Sequence, residues 1–119
     1  MSVEALDSDD EFEFFRGFVE RYSPSGNEEP AREYLLSHLP DMGFEVGTDE
    51  IGNVVARTDG TGDEVLLTSH MDTVPGEIPV RVEDGALYGR GSVDAKGPLA
   101  SMFTAGARLT DDDEANVTI

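Results

Sequence analysis

The order of three segments constrains the fold most. Residues 64–69, "EVLLTS", form a short apolar run without polar alternation, which predicts a strand covered on both faces. Further on, "GPLASMFTAGARL" carries Leu99, Met102, Phe103 and Ala107 at helical spacing, with Pro98 at a first-turn position; this predicts a helix. An acidic loop, "DDDEA", then leads into "NVTI", which begins another strand. Strand, helix and strand in that order make a parallel unit, because parallel strands need a crossover of about a dozen residues or more. The expectation is an α/β fold whose last strand is cut short, so that the chain reads as the front part of a longer protein.

The remaining elements surround this unit. Residues 1–8 read as a loose terminus. From Asp9, the residues Phe12, Phe15, Phe18, Val19 and Tyr22 recur at three- and four-residue steps, predicting a helix that ends before Ser23-Pro24. Asn27 is the expected cap of a second helix, with Glu28, Glu29 and Pro30 in its first turn and Tyr34, Leu35 and Leu39 on its buried side. "FEVGTDE" and "NVVART" read as a hairpin. "IPVRVED" and "GALYG" read as a second hairpin around Asp84-Gly85, a strong short turn signal.

At 119 residues the chain has the length of one small domain. It contains no cysteine, so any metal must be held by histidine and carboxylate. The formal charge of −18 would repel a phosphate backbone, which argues against nucleic-acid binding. No apolar run approaches the roughly 20 residues needed to cross a bilayer. The acidic start, "MSVEALDSDDEFEF", lacks the basic and apolar regions of a signal peptide. The expected location is the cytoplasm, with no membrane partner. Aromatic residues spread along the chain favour a folded acidic protein over a disordered one.

Chemistry concentrates between Ser69 and Leu99. His70 directly follows the 64–69 strand, at the edge where open α/β sheets place their ligands. Asp72 lies two residues on, on the same face of an extended segment, where it can orient His70 or bind beside it. Asp94 sits in "GRGSVDAKG", whose glycines let the backbone turn tightly and approach closely; a carboxylate there could bridge two cations. Each has an ordinary alternative: a surface His and Asp, and a capping or loop aspartate. "GRGSVD" lacks the third small residue of a dinucleotide fingerprint, and Lys96 precedes Gly97 instead of following it as in a P-loop. The chain's single lysine, Lys96, has no assigned role.

Taken together, "SHMDTVP", the "DGALYGRGSVDAKG" block and "SPSGNE" near the start resemble the signature of the co-catalytic zinc aminoacylase and carboxypeptidase family, which includes acetylornithine deacetylase and succinyl-diaminopimelate desuccinylase. The resemblance runs from about Phe12 to Leu109. It is nearest to the branch that releases lysine or ornithine from an acidic amino-group carrier protein in lysine and arginine biosynthesis. The desuccinylases usually carry a longer, tryptophan-containing insertion between the motifs, and this chain has no tryptophan. The resemblance implies an α/β/α sandwich with β-hairpins, of which residues 1–119 would be the N-terminal portion of the catalytic domain. The rest of that domain, and a dimerisation or lid domain, would lie elsewhere. It also implies two divalent cations, zinc first and cobalt as the alternative. His70 would bind one metal, Asp94 would bridge both, and Asp72 would steady His70. The implied substrate is the carrier protein or a small N-acyl amino acid. The general-base glutamate and the remaining ligands would fall beyond residue 119, so the chain alone is expected to be inactive. Other deacylases or dipeptidases of the family, and a non-catalytic interaction module, are the alternatives.

Self-repulsion at −18 is screened within about 3 Å at 1 M salt, which implies a protein adapted to a saline cytoplasm. The melting temperature should rise between about 0.1 and roughly 2 M KCl. A flat or falling curve in differential scanning calorimetry would remove that inference.

Overall fold

The computed structural model describes residues 8–119. The expected loose terminus lies outside the described residues except for Ser8, which opens the first helix. That helix, α1 (Ser8–Glu20), has Asp9, Asp10 and Glu11 in its first turn, where acidic side chains complement the helix dipole. Its buried stripe differs from the expected one. Phe14, Phe18 and Val19 are buried, while Phe12 and Phe15 are only half-buried and Tyr22 lies past the helix end. The phenylalanine-rich run offers more than one apolar face, and packing selects the face that reaches Tyr34 and Phe103. The Phe14 ring lies 5.8 Å from Tyr34 and 6.4 Å, edge-on, from Phe103.

Helix α2 (Glu29–His38) buries Ala31, Tyr34 and Leu35, as expected of its apolar side. Its cap is Glu28 and not Asn27, and no side chain bonds to the cap. The Asn27 amide instead donates to Pro24 O at 2.8 Å, while the Glu28 carboxylate accepts from Gly26 N–H at 2.9 Å. The Glu28 carboxylate is thereby engaged by the turn that precedes the helix. Pro40 ends the helix and starts a 3-10 turn (Pro40–Met42), which Gly43 closes with φ 102°, a conformation open to glycine.

Six short strands follow: β1 (Glu45–Thr48), β2 (Val54–Arg57), β3 (Glu64–Leu66), β4 (Arg81–Glu83), β5 (Ala86–Tyr88) and β6 (Asn116–Thr118), with α3 (Lys96–Ala107) between β5 and β6. Four strands form one sheet in the order β1-β2-β6-β3. β1 and β2 are the expected first hairpin, and β3 pairs with β6 in parallel through α3, also as expected. β4 and β5 form a separate antiparallel ribbon. Asp84 (φ 51°) and Gly85 (φ 78°) both take left-handed conformations at its turn, which suits the right-handed twist of a two-residue hairpin.

All three helices contribute to one apolar cluster that also holds Ala56, Val117 and Ile119 of the sheet. Val46 stands opposite Ala56, and with Val117 and Ile119 they make up the inward-facing set of the helix-covered face. The mixed α/β fold with its hairpins is the architecture expected from the sequence. One part of that expectation fails. Strand β3 is exposed along its length, with Val65 49% and Leu66 64% accessible. It is the edge strand, and Leu66 points to the sheet face that no helix covers among the described residues. No helix among these residues is long and apolar enough to cross a membrane.

Two ties lock α3 against α1. Arg108 Nη2 donates to both carboxylate oxygens of Glu11, at 2.6 and 2.7 Å, a charge-assisted contact. At the other end Lys96 is wholly buried. Its ammonium donates to Arg21 O at 2.7 Å and lies 5.2 Å from the Phe18 ring centroid. The single lysine thus satisfies a carbonyl that α1 leaves free as it ends. Burial lowers its pKa from 10.5 to about 8, so between those values the unfolded chain binds more protons than the folded one. Folding stability should therefore rise as pH increases through that window. Urea midpoints of wild type and Lys96→Met should show wild type gaining on the variant from about pH 8 to 10; parallel curves would contradict the burial of this group.

Candidate metal and catalytic site

Three segments converge beyond the C-terminal end of β3. The extended course of that strand continues to Leu67, whose amide donates to Thr118 O at 2.8 Å, and the chain then leaves the sheet at His70. Residues 23–25, between α1 and α2, run alongside residues 71–73. Thr73 N–H donates to Ser23 O at 2.8 Å and Ser25 N–H to Thr73 O at 3.1 Å, around a parallel bridge between Pro24 and Thr73. The third segment is the glycine-rich loop that ends at Asp94, just before α3. Its Gly91 has φ 83° and accepts the Lys96 amide at 2.9 Å, closing the loop onto the helix start.

The three residues singled out in the sequence meet here. His70 Nε2 lies 3.1 Å from Asp94 Oδ1, although the two are separated by the whole β4–β5 ribbon. His70 Nδ1 lies 3.0 Å from Asp72 O and 3.1 Å from Asp72 Oδ1. Asp72 therefore holds the ring through both its main chain and its carboxylate. The second carboxylate oxygen, Oδ2, accepts from Ser25 Oγ at 2.5 Å. Nothing in the sequence pointed to Ser25 individually. Only its place in "SPSGNE", far from the histidine, marked the segment.

Electrostatics follow these contacts. The bond to the Asp72 carbonyl, with the negative charges of Asp72 and Asp94 nearby, raises the His70 pKa above its ordinary value. The Ser25 hydroxyl, followed by the charge of His70, lowers that of Asp72. His70 and Asp72 stand between two open clefts. One, of about 460 Å³, is lined by both polar and apolar groups, among them Arg32, Asp49, Leu67 and Phe103. The other, of about 330 Å³, is lined by Ser25, Thr73 and the loop from Gly89 to Asp94. The side chains stay accessible, His70 at 50% and Asp94 at 86%. Among the described residues no group of three or more His, Asp or Glu is placed to hold a metal ion. His38, the other histidine, stacks on Tyr34 at 4.0 Å, with Nδ1 2.8 Å from Tyr34 O, which is a structural role.

Known proteins align with these elements. Residues 66–119 match peptidase family M20/M25/M40. The chain is 50% identical over 100 residues to a protein of Thermococcus kodakarensis described as a LysW-lysine/LysW-ornithine hydrolase, covering 84% of this chain and 29% of that one. A protein of Pyrococcus furiosus with the same description is 46% identical over 112 residues, covering 94% of this chain and 33% of that one. The chain thus spans about a third of the length of these relatives. Among solved structures, a tripeptidase of Staphylococcus aureus superposes with a TM-score of 0.76 at 25% identity, over 97% of this chain and 36% of the other. On the shared sequence and the shared fold, the chain belongs to peptidase family M20/M25/M40.

Proposed function

We propose that residues 1–119 are the N-terminal portion of the catalytic domain of a metal-dependent amide hydrolase. It would release lysine, ornithine or both from an acidic amino-group carrier protein, in lysine and arginine biosynthesis. The observation that carries this reading is the meeting of His70 Nε2 and Asp94 Oδ1 at 3.1 Å, at the sheet edge where α/β folds bind ligands, in a chain whose relatives are described as LysW-lysine/LysW-ornithine hydrolases.

The residues fit two divalent cations as part of a site. With the proton on Nδ1, facing Asp72, the Nε2 lone pair of His70 faces a lone pair of Asp94. Two lone pairs at that distance call for a proton or a cation between them. Imidazole and carboxylate without thiolate suit zinc, and cobalt as the alternative. His70 and Asp94 would hold the metals, Asp94 bridging them, and Asp72 would fix the ring and tautomer of His70. When bound, the two cations would supply an activated water for attack on an amide carbonyl. Two ligands fall short of the three protein ligands a catalytic zinc ordinarily takes, so the remaining ligands and the general base belong to sequence beyond residue 119. The 119-residue chain by itself is then inactive. A full enzyme of this family could pair as a homodimer through an additional domain.

The test uses a chain extended past Ile119 to the length of these relatives. It should release lysine or ornithine from the carrier-linked substrate faster than from N-acetyl-lysine. Asp72→Ala should lower the rate by about 10–100-fold, and His70→Ala or Asp94→Ala by more. Preference for the small substrate would favour a deacylase of the same family. Undiminished turnover in His70→Ala would refute the site.

A further inference from the structure

We propose that Ser25 is a positioning residue that fixes the carboxylate of Asp72 for its work on His70. This inference rests on the reading of His70 and Asp72 as a working pair. Asp72 is a half-buried aspartate on a segment outside any regular strand, with 38% of its side chain accessible. Hydrogen bonds to both carboxylate oxygens set its orientation. One oxygen faces His70 Nδ1 at 3.1 Å and the other accepts from Ser25 Oγ at 2.5 Å. A carboxylate held at both oxygens cannot turn about its side-chain bonds without losing one partner.

The donor itself is held. The main chain of Ser25 is bonded to Thr73 O, and Thr73 N–H is bonded to Ser23 O. Ser23, fully buried, adds Oγ to Met71 O at 2.7 Å. The two serines of "SPSG" thus act on consecutive residues of the 71–73 segment. Ser23 fixes the main chain just before Asp72, and Ser25 fixes the Asp72 side chain. Lys96 ties down the chain just ahead of Ser23, through its bond to Arg21 O. The geometry accounts for the spacing of the two serines. Alternate residues of an extended segment face the same way, and here both face residues 71–72.

The three-bond couplings of Asp72 Cγ to its own N and C′, measured by NMR in the metal-free 119-residue chain, report whether the side chain keeps one χ1 rotamer. Wild type should show a single rotamer, Ser25→Ala should lose it to averaging, and Ser25→Thr, which keeps the hydroxyl, should restore it. The melting temperature of folded Ser25→Ala should change little, because the lost bond is exposed. An averaged Asp72 in wild type, or a single rotamer surviving in Ser25→Ala, would overturn the proposal. If Ser25→Ala does not fold, the wild-type and Ser25→Thr couplings still decide. None of these readings depends on metal or turnover. Failure of the hydrolase assay with intact couplings would count against the function alone, and averaged couplings with intact hydrolysis against Ser25 alone.

Discussion

The parallel pairing of β3 with β6 is the constraint on which the rest depends. Two parallel neighbours require the chain to return to its starting edge, and α3 makes that return. The helix therefore runs against the strands, which puts its N-terminus at the same edge as the C-terminal end of β3. His70 follows the strand and Asp94 precedes the helix, so topology alone delivers both residues to one edge. The β4–β5 ribbon fills the interval without entering the sheet, which leaves the pair free to meet at 3.1 Å.

That edge is stiffened from behind by α1 and the segment after it. The aromatic cluster of Phe14, Phe18, Tyr34 and Phe103 ties α1 to α2 and α3, and the Tyr34 hydroxyl donates to Phe14 O at 2.9 Å within it. Lys96 and Arg108 add polar ties at the two ends of α3. A buried ammonium is costly unless its hydrogen bonds are made. Lys96 meets this cost with a carbonyl at the end of α1 and an aromatic face, in a chain that otherwise does without lysine. Its position two residues after Asp94 couples the helix start to the segment carrying Ser23 and Ser25.

Helices cover one face of the sheet over β2 and β6, while the edge strand β3 stays exposed. Val46, Ala56, Val117 and Ile119 pack against the helices, whereas Leu66 on the opposite face is open to solvent. An apolar run without alternation, as in 64–69, suits a strand covered on both sides. The expectation of cover on both faces fails here, because β3 is the edge strand and has no described neighbour above it. The acidic surface works differently. Like charges leave few local pairs to specify shape, so the tertiary order rests on aromatic packing and a handful of directed polar contacts.

Much of this was legible in sequence. Both hairpins, the crossover and the three helices follow from periodicity and turn residues, because these signals are local and each strand or helix declares its own period; the grouping of His70, Asp72 and Asp94 is what the family resemblance implies. What tertiary structure alone decided has non-local causes. The choice of Phe14 over Phe12 and Phe15 depended on where Tyr34 and Phe103 lie. Helix α2 starts one residue later than expected, after Glu28, and the role of Lys96 depended on the carbonyl at the end of α1. Ser25 acquires its meaning only when residues 23–25 are laid beside 71–73. The sequence by itself determined which elements form and which chemical groups gather at one edge, while only three-dimensional packing decided which partners each group meets, since contacts between distant segments have no period to read.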